Sequence, residues 1–460
     1  MSAQFKTAAL GLLILVLSGC AGFSADGGRE ALDALTRERG GAALALGGAE
    51  LDSERAALLA ALPNQPLTVE AAVRLAVLNN RGLQADLAEL GISEAELVQA
   101  GRLRNPGLSF SRLSDGAGSE IERAVVFDLA GLLTLPMRRK IERDRFEQTV
   151  LRAAGQVVQL AADTRRAWIT AVAAAQTAAY MEQASSAAEA AAELAQGMAR
   201  AGNWSRLDQV REQAFYADTM AQVGRARLLA GSSREKLVRL LGLWGTQTAF
   251  SVPDRLPELP ASVAPIADVE ARAMARRLDI QIGKREAEQN ARALGLSRVS
   301  GIVNVLELGY ANKSATGQPR ENGYQIGIEL PIFDGGGAHT AKARARYMQT
   351  LHRTADIAIA ARSQVREAHA AYRGHYELAR HYRDQVVPLR KKISDEVMLR
   401  YNGMLLSVFE LLTDAREQVA SVNGAIDAQR DFWLAETDLH AAMGGATDQA
   451  PPSSNPSHQE

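Results

Sequence analysis

The sequence repeats itself at a spacing of about 200 residues, and this feature constrains the fold more than any other. Residues 145–152 read RFEQTVLR and residues 346–353 read RYMQTLHR, 201 positions later. Other matching residues keep nearly the same spacing along the chain: Val69 and Val269, Phe127 and Ile328, Leu129 and Leu330, Arg143 and Arg344, Ser205 and Ser407, Asp208 and Glu410, Gly242 and Gly444. Such a co-linear series predicts two similar halves that adopt the same order of elements.

Segments rich in proline or polar residues mark the boundaries of the two repeats. The first repeat spans 66–250 and the second spans 266–447, and the Pro-rich linker 251–265 joins them. The tail 448–460 is polar and rich in proline and serine, a composition that predicts disorder.

Each repeat is predicted to contain a helix, two short strands, a very long helix, a tight turn and a final helix. The predicted helices are 68–103, 138–201 and 205–242 in the first repeat, and 267–298, 339–402 and 405–443 in the second. At about 1.5 Å per residue the long helices would extend roughly 95 Å, so they must pack lengthwise against other helices. The composition agrees, because aromatic residues make up only 5 % of the chain and alanine, the best helix former, dominates its apolar residues.

The strand segments alternate between apolar and polar residues. On the individual strands, the residues predicted to lie on the apolar side are Leu108, Phe110, Val125, Phe127, Leu129, Leu306, Leu308, Tyr310, Tyr324, Ile326, Ile328 and Leu330. The polar segments 114–122 and 311–322 are predicted as loops. Soluble hairpins and membrane-crossing strands are both compatible with this pattern. Four strands cannot close a barrel, so strands that cross a membrane would require several copies, and three copies would supply twelve strands.

The N-terminus has the features of a bacterial secretion signal that ends at a cysteine. An apolar run, 8–17, is too short to span a bilayer and has the length of a signal-peptide core. It ends in Leu17-Ser18-Gly19-Cys20, which resembles the lipobox of bacterial lipoproteins. This predicts removal of residues 1–19 and lipidation of Cys20. An ordinary signal peptide that contains a cysteine is the alternative.

The segment that follows the predicted cleavage site, 20–65, is therefore expected to be acylated at its start. Alanine rather than aspartate stands at position 21, which favours the outer membrane of a two-membrane bacterium. Each buried methylene of an acyl chain adds about 0.8 kcal/mol to membrane binding. The sequence thus predicts a lipid-anchored protein of the outer membrane.

Charge and residue spacing argue against several other classes of function. A net charge of −1 excludes a basic nucleic-acid-binding protein, and the single cysteine excludes a disulfide framework or a Cys-rich zinc site. His369, His375 and His381 recur every six residues, so neighbours on a helix point about 120° apart and do not converge on a metal. No catalytic set of residues is recognisable, and no cofactor or metal is expected.

Three motifs resemble the TolC-like outer-membrane factors, in particular the lipoprotein branch that serves drug and heavy-metal efflux. These are LPIFDGG at 330–336, YNG at 401–403 and SVFELL at 407–412, within the doubled order of elements. The resemblance implies a mainly α fold with short β-hairpins. In it, the duplicated helix–β-hairpin–long helix–helix repeats form an α-helical barrel and, in a homotrimer, a twelve-stranded transmembrane β-barrel.

The resemblance also implies a function and a set of partners. The chain would be a passive exit duct, not an enzyme, for heavy-metal ions or drugs. It would work with a periplasmic adaptor and an inner-membrane pump of the RND type, and it would contact outer-membrane lipid but no nucleic acid. A structural or adaptor-like periplasmic helical lipoprotein, and an exit channel for type I secretion, are the alternatives.

Site residues are implied by the same resemblance. The adaptor-contacting tips would be the turns at Gly202, Asn203, Asn402 and Gly403. At both tips we expect a glycine with a positive φ, because a reversal between helices commonly needs one. The strand-to-helix transition would include Pro331, Gly335 and Gly336, with the glycines acting as a flexible swivel.

The resemblance further implies an acidic ring at the channel aperture. Glu410 matches an acidic position of the family, and Asp208 is its counterpart in the first repeat. Three copies of Glu410 around an axis would raise one another's pKa, whereas a solvated helix face is the alternative role. Thr413 stands at a second acidic position, and Asp414, one residue further, is expected to turn away from the lumen.

The cluster Arg138-Arg139-Lys140 fits lipid phosphates or a solvated face equally well.

Overall fold

A computed structural model describes residues 22–46, 51–116, 118–263, 266–300, 305–329 and 335–445. Within these ranges the chain is mainly helical with short β-hairpins, as predicted, and the two hairpins form one four-stranded antiparallel sheet. No helix in the described ranges is both long enough and apolar enough to cross a lipid bilayer. The predicted signal peptide, Cys20, Pro331 and the tail 448–460 lie outside the described residues.

Two short helices precede the first repeat, namely α1 (Arg29–Gly40) and α2 (Leu51–Ala61). The first repeat then contains α3 (Val69–Asn79), α4 (Arg81–Ala100), β1 (Gly107–Asp115), β2 (Gly118–Asp128), α5 (Leu129–Arg200) and α6 (Arg206–Leu241). The predicted helix 68–103 is two helices, because Asn80 adopts an extended conformation that ends α3. Its side-chain amide donates to the carbonyl of Leu240 at 2.9 Å, which fixes the break.

Helix α5 begins nine residues before the predicted start at 138. Asp128 accepts a hydrogen bond from the backbone N–H of Gly131 at 2.6 Å, which satisfies one of the unpaired donors of the first turn. Pro136 lies inside the helix instead of preceding it. The cluster Arg138-Arg139-Lys140 therefore lies in the third turn of α5 and does not open the helix.

The second repeat has the same order of elements with one interruption. It contains α7 (Val269–Arg276), α8 (Leu278–Ser300), β3 (Leu306–Ala315), β4 (Glu321–Ile328), α9 (Gly337–His381), a π-helical turn (Tyr382–Val386), α10 (Val387–Asn402) and α11 (Val408–Ala442). Pro388 stands at the second residue of α10. Because proline has no N–H to continue the α-helical ladder, the wider π turn precedes it and the predicted helix 339–402 is divided.

The described residues form two compact units, and neither coincides with one repeat. The first, which we call the sheet unit, comprises the described residues of Met1–Leu32, Ala85–Ala153 and Leu278–Ile359. The second, the helical unit, comprises those of Asp33–Gln84, Ala154–Arg277 and Ala360–Glu460. Each unit therefore draws on both repeats.

The sheet has the strand order β1-β2-β3-β4, and every pair is antiparallel. The central pair joins the two repeats, with Val125 opposite Tyr310 and Phe127 opposite Leu308. Strand pairing extends into both polar segments that were predicted as loops, since β1 ends at Asp115 and β2 begins at Gly118. The ladder needs only backbone groups, so polar side chains do not end it.

The helical unit has a core in which small residues let helices approach closely. Ala167, Ala171 and Ala173 of α5 are buried beside Trp168, whose indole N–H donates to the carbonyl of Leu67 at 2.7 Å. A second cluster surrounds Phe432, whose ring stacks on Tyr372 with centroids 5.6 Å apart. The alanine-rich composition thus serves close packing of helices.

Candidate functional site

The sheet has one mainly apolar face and one mainly polar face. Arg112 and Arg123 also lie on the mainly apolar face, and Leu113 lies on the mainly polar one. Strand register places these apolar side chains on the same face: Leu108, Phe110, Val125, Phe127, Leu306, Leu308, Tyr310, Tyr324, Ile326 and Ile328. The predicted alternation is therefore correct within the described strands. Tyr324 is 84 % exposed and Ile326 is 68 % exposed, so this chain leaves much of the face uncovered. An exposed apolar surface of this kind marks contact with lipid or a partner.

The opposite face carries small and charged side chains. Ser109, Glu122 and Gln325 point to this side, and Lys313 forms an ion pair with Glu120 at 2.6 Å. Gly309 and Gly327 also lie on it. Such a face is compatible with water, whereas the apolar face is not.

Both outer strands of the sheet have an open edge. In the described chain β1 pairs with β2 and β4 pairs with β3, so the outer N–H and C=O groups of β1 and β4 have no strand to bind. Unpaired edges favour association with another strand. Within the described residues, both edges of the sheet are therefore available to another strand.

The first helix–helix turn follows α5 and uses a glycine as predicted. Gly202 has φ +75°, and the N–H of Asn203 donates to the carbonyl of Met198 at 3.0 Å. The N–H of Gly202 donates to Ala199 at 3.1 Å. These two bonds are those of a Schellman motif, in which glycine tolerates the left-handed conformation at no steric cost.

The second turn follows α10, and there the predicted positive φ at Gly403 is wrong. Gly403 has φ −80°, and Met404 instead adopts φ +58°. The N–H of Leu405 donates to the carbonyl of Arg400 at 2.8 Å, so the same motif forms one residue later than expected. Helix α10 includes Asn402, which moves the left-handed position from the glycine to the methionine.

Asp208 and Glu410 lie at equivalent positions after these turns, where each binds the N-cap serine of the next helix. The N–H of Asp208 donates to the hydroxyl of Ser205 at 3.1 Å. The carboxylate of Glu410 accepts from the N–H of Ser407 at 2.9 Å, and Ser407 caps α11 in return. The hydrogen bonds from Ser407 lower the pKa of Glu410 below its ordinary value. In one chain, both carboxylates therefore stabilise a helix start.

Asp414 is turned into the protein of its own chain. It is 6 % exposed, whereas the half-buried Thr413 donates its hydroxyl to the carbonyl of Phe409 at 2.8 Å. Glu212, which precedes Asp414 by 202 residues, is 1 % exposed. Two corresponding carboxylates are thus buried within the helical unit.

Sequence reasoning missed the ion pair that holds one of these carboxylates. Arg416 donates to Glu212 at 2.6 Å, and its guanidinium lies 4.4 Å from the centre of the Phe215 ring. The repeat spacing from Asp414 back to Glu212 was the available signal. The counterpart of Arg416 in the first repeat is an alanine at position 214. The ion pair is therefore not repeated, and the comparison of the repeats does not indicate Arg416 as the partner.

The glycines of the predicted strand-to-helix transition directly precede α9. Gly336 has φ +70°, and its carbonyl accepts from the N–H of Thr340 at 3.0 Å, so it begins the first helical turn. Gly335 is exposed beside it. A side chain at 336 would strain the backbone, which explains the glycine physically.

Comparisons with known proteins identify the fold. No protein-family model and no curated protein sequence matches the chain. Among solved structures, the outer-membrane channel CmeC of Campylobacter jejuni is 14 % identical, with a TM-score of 0.72 over 83 % of this chain and 89 % of that one. The outer-membrane channel OprN is 16 % identical, with a TM-score of 0.69 over 93 % and 97 %.

A membrane protein from Pseudomonas aeruginosa gives a TM-score of 0.71 at 19 % identity, over 84 % of this chain and 95 % of that one. The chain therefore has the fold of bacterial outer-membrane channels. The resemblance to the TolC-like outer-membrane factors, first drawn from the motifs of the second repeat, is confirmed at the level of the fold.

Proposed function

We propose that this chain is the outer-membrane channel of a tripartite efflux system and that it works as a homotrimer. The observation that carries the proposal is the sheet, because an apolar exposed face and two open edges occur in a chain with the fold of outer-membrane channels. A bilayer does not accept open strand edges, and four strands are too few to close a barrel.

Three copies, with β4 of each paired to β1 of the next, would give the twelve-stranded barrel. Strands β1, β2 and β3 contain 9, 11 and 10 residues. A tilted strand needs about 9–11 residues to cross the hydrocarbon layer. The apolar face would meet lipid and the polar face, with Lys313 and Glu120, would line the water-filled lumen.

In this proposal the chain is a passive duct and not an enzyme. An inner-membrane pump of the RND type supplies the energy, and a periplasmic adaptor meets the turns at 202–203 and 402–403. Heavy-metal ions or drugs are the proposed cargo. Selection among them falls to the pump, because the duct contributes only the few side chains that line its lumen.

The proposed anchor is a lipid on Cys20 that holds the chain at the periplasmic side of the outer membrane. Replacement of Cys20 by serine should abolish incorporation of labelled fatty acid into the mature protein. Label that persists in Cys20→Ser would contradict the anchor. It would leave the channel proposal intact, because the sheet does not depend on the lipid.

The experiment for the channel is conductance in planar bilayers, combined with gel analysis of heated and unheated samples in detergent. We expect single-channel currents and a trimer band that disappears on heating. A monomer that salt extracts from membranes, and that conducts no current, would contradict the channel and favour a structural or adaptor-like lipoprotein. Co-purification with a type I secretion pump instead would assign the duct to secretion.

The proposed aperture can be tested without disturbing the fold at Glu410. Glutamine keeps the acceptor that caps α11, whereas alanine loses both the acceptor and the charge. Glu410→Gln should therefore weaken block of the current by divalent cations with no change in thermal stability. Unchanged block in Glu410→Gln would leave this carboxylate with its capping role alone. Asp208→Asn tests the first-repeat position in the same way.

A further inference from the structure

The start of α5 changes from apolar to basic along one exposed side. Leu132 and Leu133 are exposed, and Leu133 reaches 72 %. About two to three turns later the exposed residues are cations, which we call the basic patch: Arg139, Lys140 and Arg143. Spacings of three, four and seven residues bring these positions to the same side of a helix. The change therefore runs along the helix axis and not around it.

The cations of the basic patch are not neutralised by the protein. In the part of the chain that the structure describes, no carboxylate pairs with Arg139, Lys140 or Arg143. Nearby acids are already engaged, since Glu142 pairs with Arg145 at 3.4 Å and the buried Asp144 pairs with Arg292. Three positive charges are thus free to bind an external anion.

The second repeat shows that the fold does not require the patch. Thr340 and Ala341 occupy the positions that lie 201 residues after Arg139 and Lys140. Only Arg143 has a basic counterpart, Arg344. The cations at 139 and 140 are therefore a property of the first repeat and not of helix formation.

A separate observation places the N-terminal segment beside the patch. The N–H and hydroxyl of Ser24 donate to the carboxylate of Glu94 at 2.6 and 2.5 Å. Gly28, with φ +77°, leaves no room for a side chain against Phe146, which is three residues after Arg143. All of these residues belong to the sheet unit. Cys20 is four residues before Ser24 and hence within about 14 Å of it.

We propose that the basic patch binds anionic phospholipid headgroups of the leaflet that holds the lipid anchor, with Leu132 and Leu133 against the acyl chains. This rests on the proposed outer-membrane channel. Opposite charge favours an anionic surface, and the apolar residues on one side of the patch fit the boundary between hydrocarbon and headgroups.

The full-length protein is incubated in detergent with a mixture of phosphatidylglycerol and phosphatidylcholine and is then purified. The lipids that remain bound are measured by mass spectrometry. Wild type should retain phosphatidylglycerol in about fivefold excess or more, because each basic residue near an anionic surface contributes a factor of this order. Arg139→Gln/Lys140→Gln/Arg143→Gln should lower the ratio to that of the mixture. Lys140→Gln alone should give an intermediate ratio.

The matched control removes the same charge from exposed cations of α6 in the helical unit. Arg225→Gln/Lys236→Gln/Arg239→Gln should keep the excess of phosphatidylglycerol. Equal lipid ratios in wild type and the patch variant would overturn the proposal. So would displacement of the lipid by inorganic phosphate at constant ionic strength, or a crosslink from Lys140 to a second copy.

Conductance and trimer formation are measured on the same preparations. A conducting trimer without lipid preference would overturn the lipid site alone. A protein that neither conducts nor forms trimers would contradict the proposed function, whatever its lipid content. The two failures are therefore distinguishable.

Discussion

The helical unit and the sheet unit differ in how far their characteristic apolar side chains are buried. In the helical unit Phe432 is 0 % exposed and lies within 5.6 Å of the rings of Tyr372 and Tyr376. In the sheet unit the apolar face is open, with Tyr324 and Ile326 largely exposed. The helical unit buries this aromatic cluster within one chain, although Leu228 and Leu399 lie exposed on its surface. The sheet unit leaves the apolar face of its strands uncovered in one chain, and the same residue types therefore have different consequences in the two units.

The largest effect should come from removing a buried ring of the helical unit. Phe432→Ala should destabilise the protein by about 4 kcal/mol, because the change loses burial and leaves a cavity. The matched substitution in the sheet, Phe110→Ala, should change the stability in detergent by less than about 0.5 kcal/mol. Thermal unfolding followed by circular dichroism measures both. Similar losses of stability in the two variants would contradict the proposed difference between the two units.

The next effect tests the two faces of the sheet with adjacent residues. Ile326→Arg places a charge on the apolar face and should destabilise the membrane-inserted protein by about 3 kcal/mol. Gln325→Arg places the same charge on the polar face and should be nearly neutral. The amount of heat-modifiable trimer in membranes reports the difference. If both variants assemble equally well, the apolar face does not contact lipid.

A smaller effect should depend on pH and arise in the helical unit. Burial, with a contribution from Arg165, lowers the pKa of His440 to about 4 from an ordinary 6.5. The neutral form stabilises the fold, so this stability is present above about pH 6.5 and decreases as the pH falls toward 4. Between pH 7.5 and pH 5 we expect a loss of about 2 kcal/mol.

His440→Asn should remove most of this pH dependence. Glu436 acts in the opposite direction, because burial raises its pKa and its proton stabilises the fold as the pH falls. Arg39 lines the same cavity as Arg165 and His440 and stays charged throughout. Melting temperatures of wild type and His440→Asn should converge at pH 5. A constant gap between them would contradict the role of His440.

The smallest effect should come from the two helix–helix turns. Met404→Gly removes a left-handed methionine and should stabilise the helical unit by about 0.5–1 kcal/mol. Gly202→Ala should destabilise it by a similar amount, since Gly202 has the same conformation. Denaturant titration of both variants measures the sign. Effects of equal sign would show that backbone strain does not control the turns.

The sequence predicts regular features of this fold well. The predicted helix start at 205 lies within one residue of the start of α6, and alternation assigns Tyr324 and Ile326 to one face of the sheet. These predictions succeed because periodicity and capping depend on nearby residues. The predicted start of α5 at 138 is wrong for a related reason. Its cap, Asp128, belongs to the preceding strand, and Pro136 reads as a boundary.

Features that depend on contacts between distant residues were not predictable. Arg416 meets Glu212 across 204 positions, and nothing next to either residue indicates the pair. The position of Met404 depends on where α10 ends, and one further helical residue moves the left-handed conformation away from Gly403. The sequence alone does not define the last residue of α10 closely enough to predict this one-residue shift.

The pairing of β2 with β3 also determines when the sheet can form. Glu120 is opposite Ala315, so almost 200 residues separate two neighbours in the sheet. The first hairpin therefore emerges during synthesis long before its partner exists, with Phe110 and Leu108 unshielded. Such non-local pairing is slow, and unpaired strand edges that are prone to aggregation stay exposed until it is complete. Formation of the complete sheet therefore waits for the second repeat, which is synthesised last.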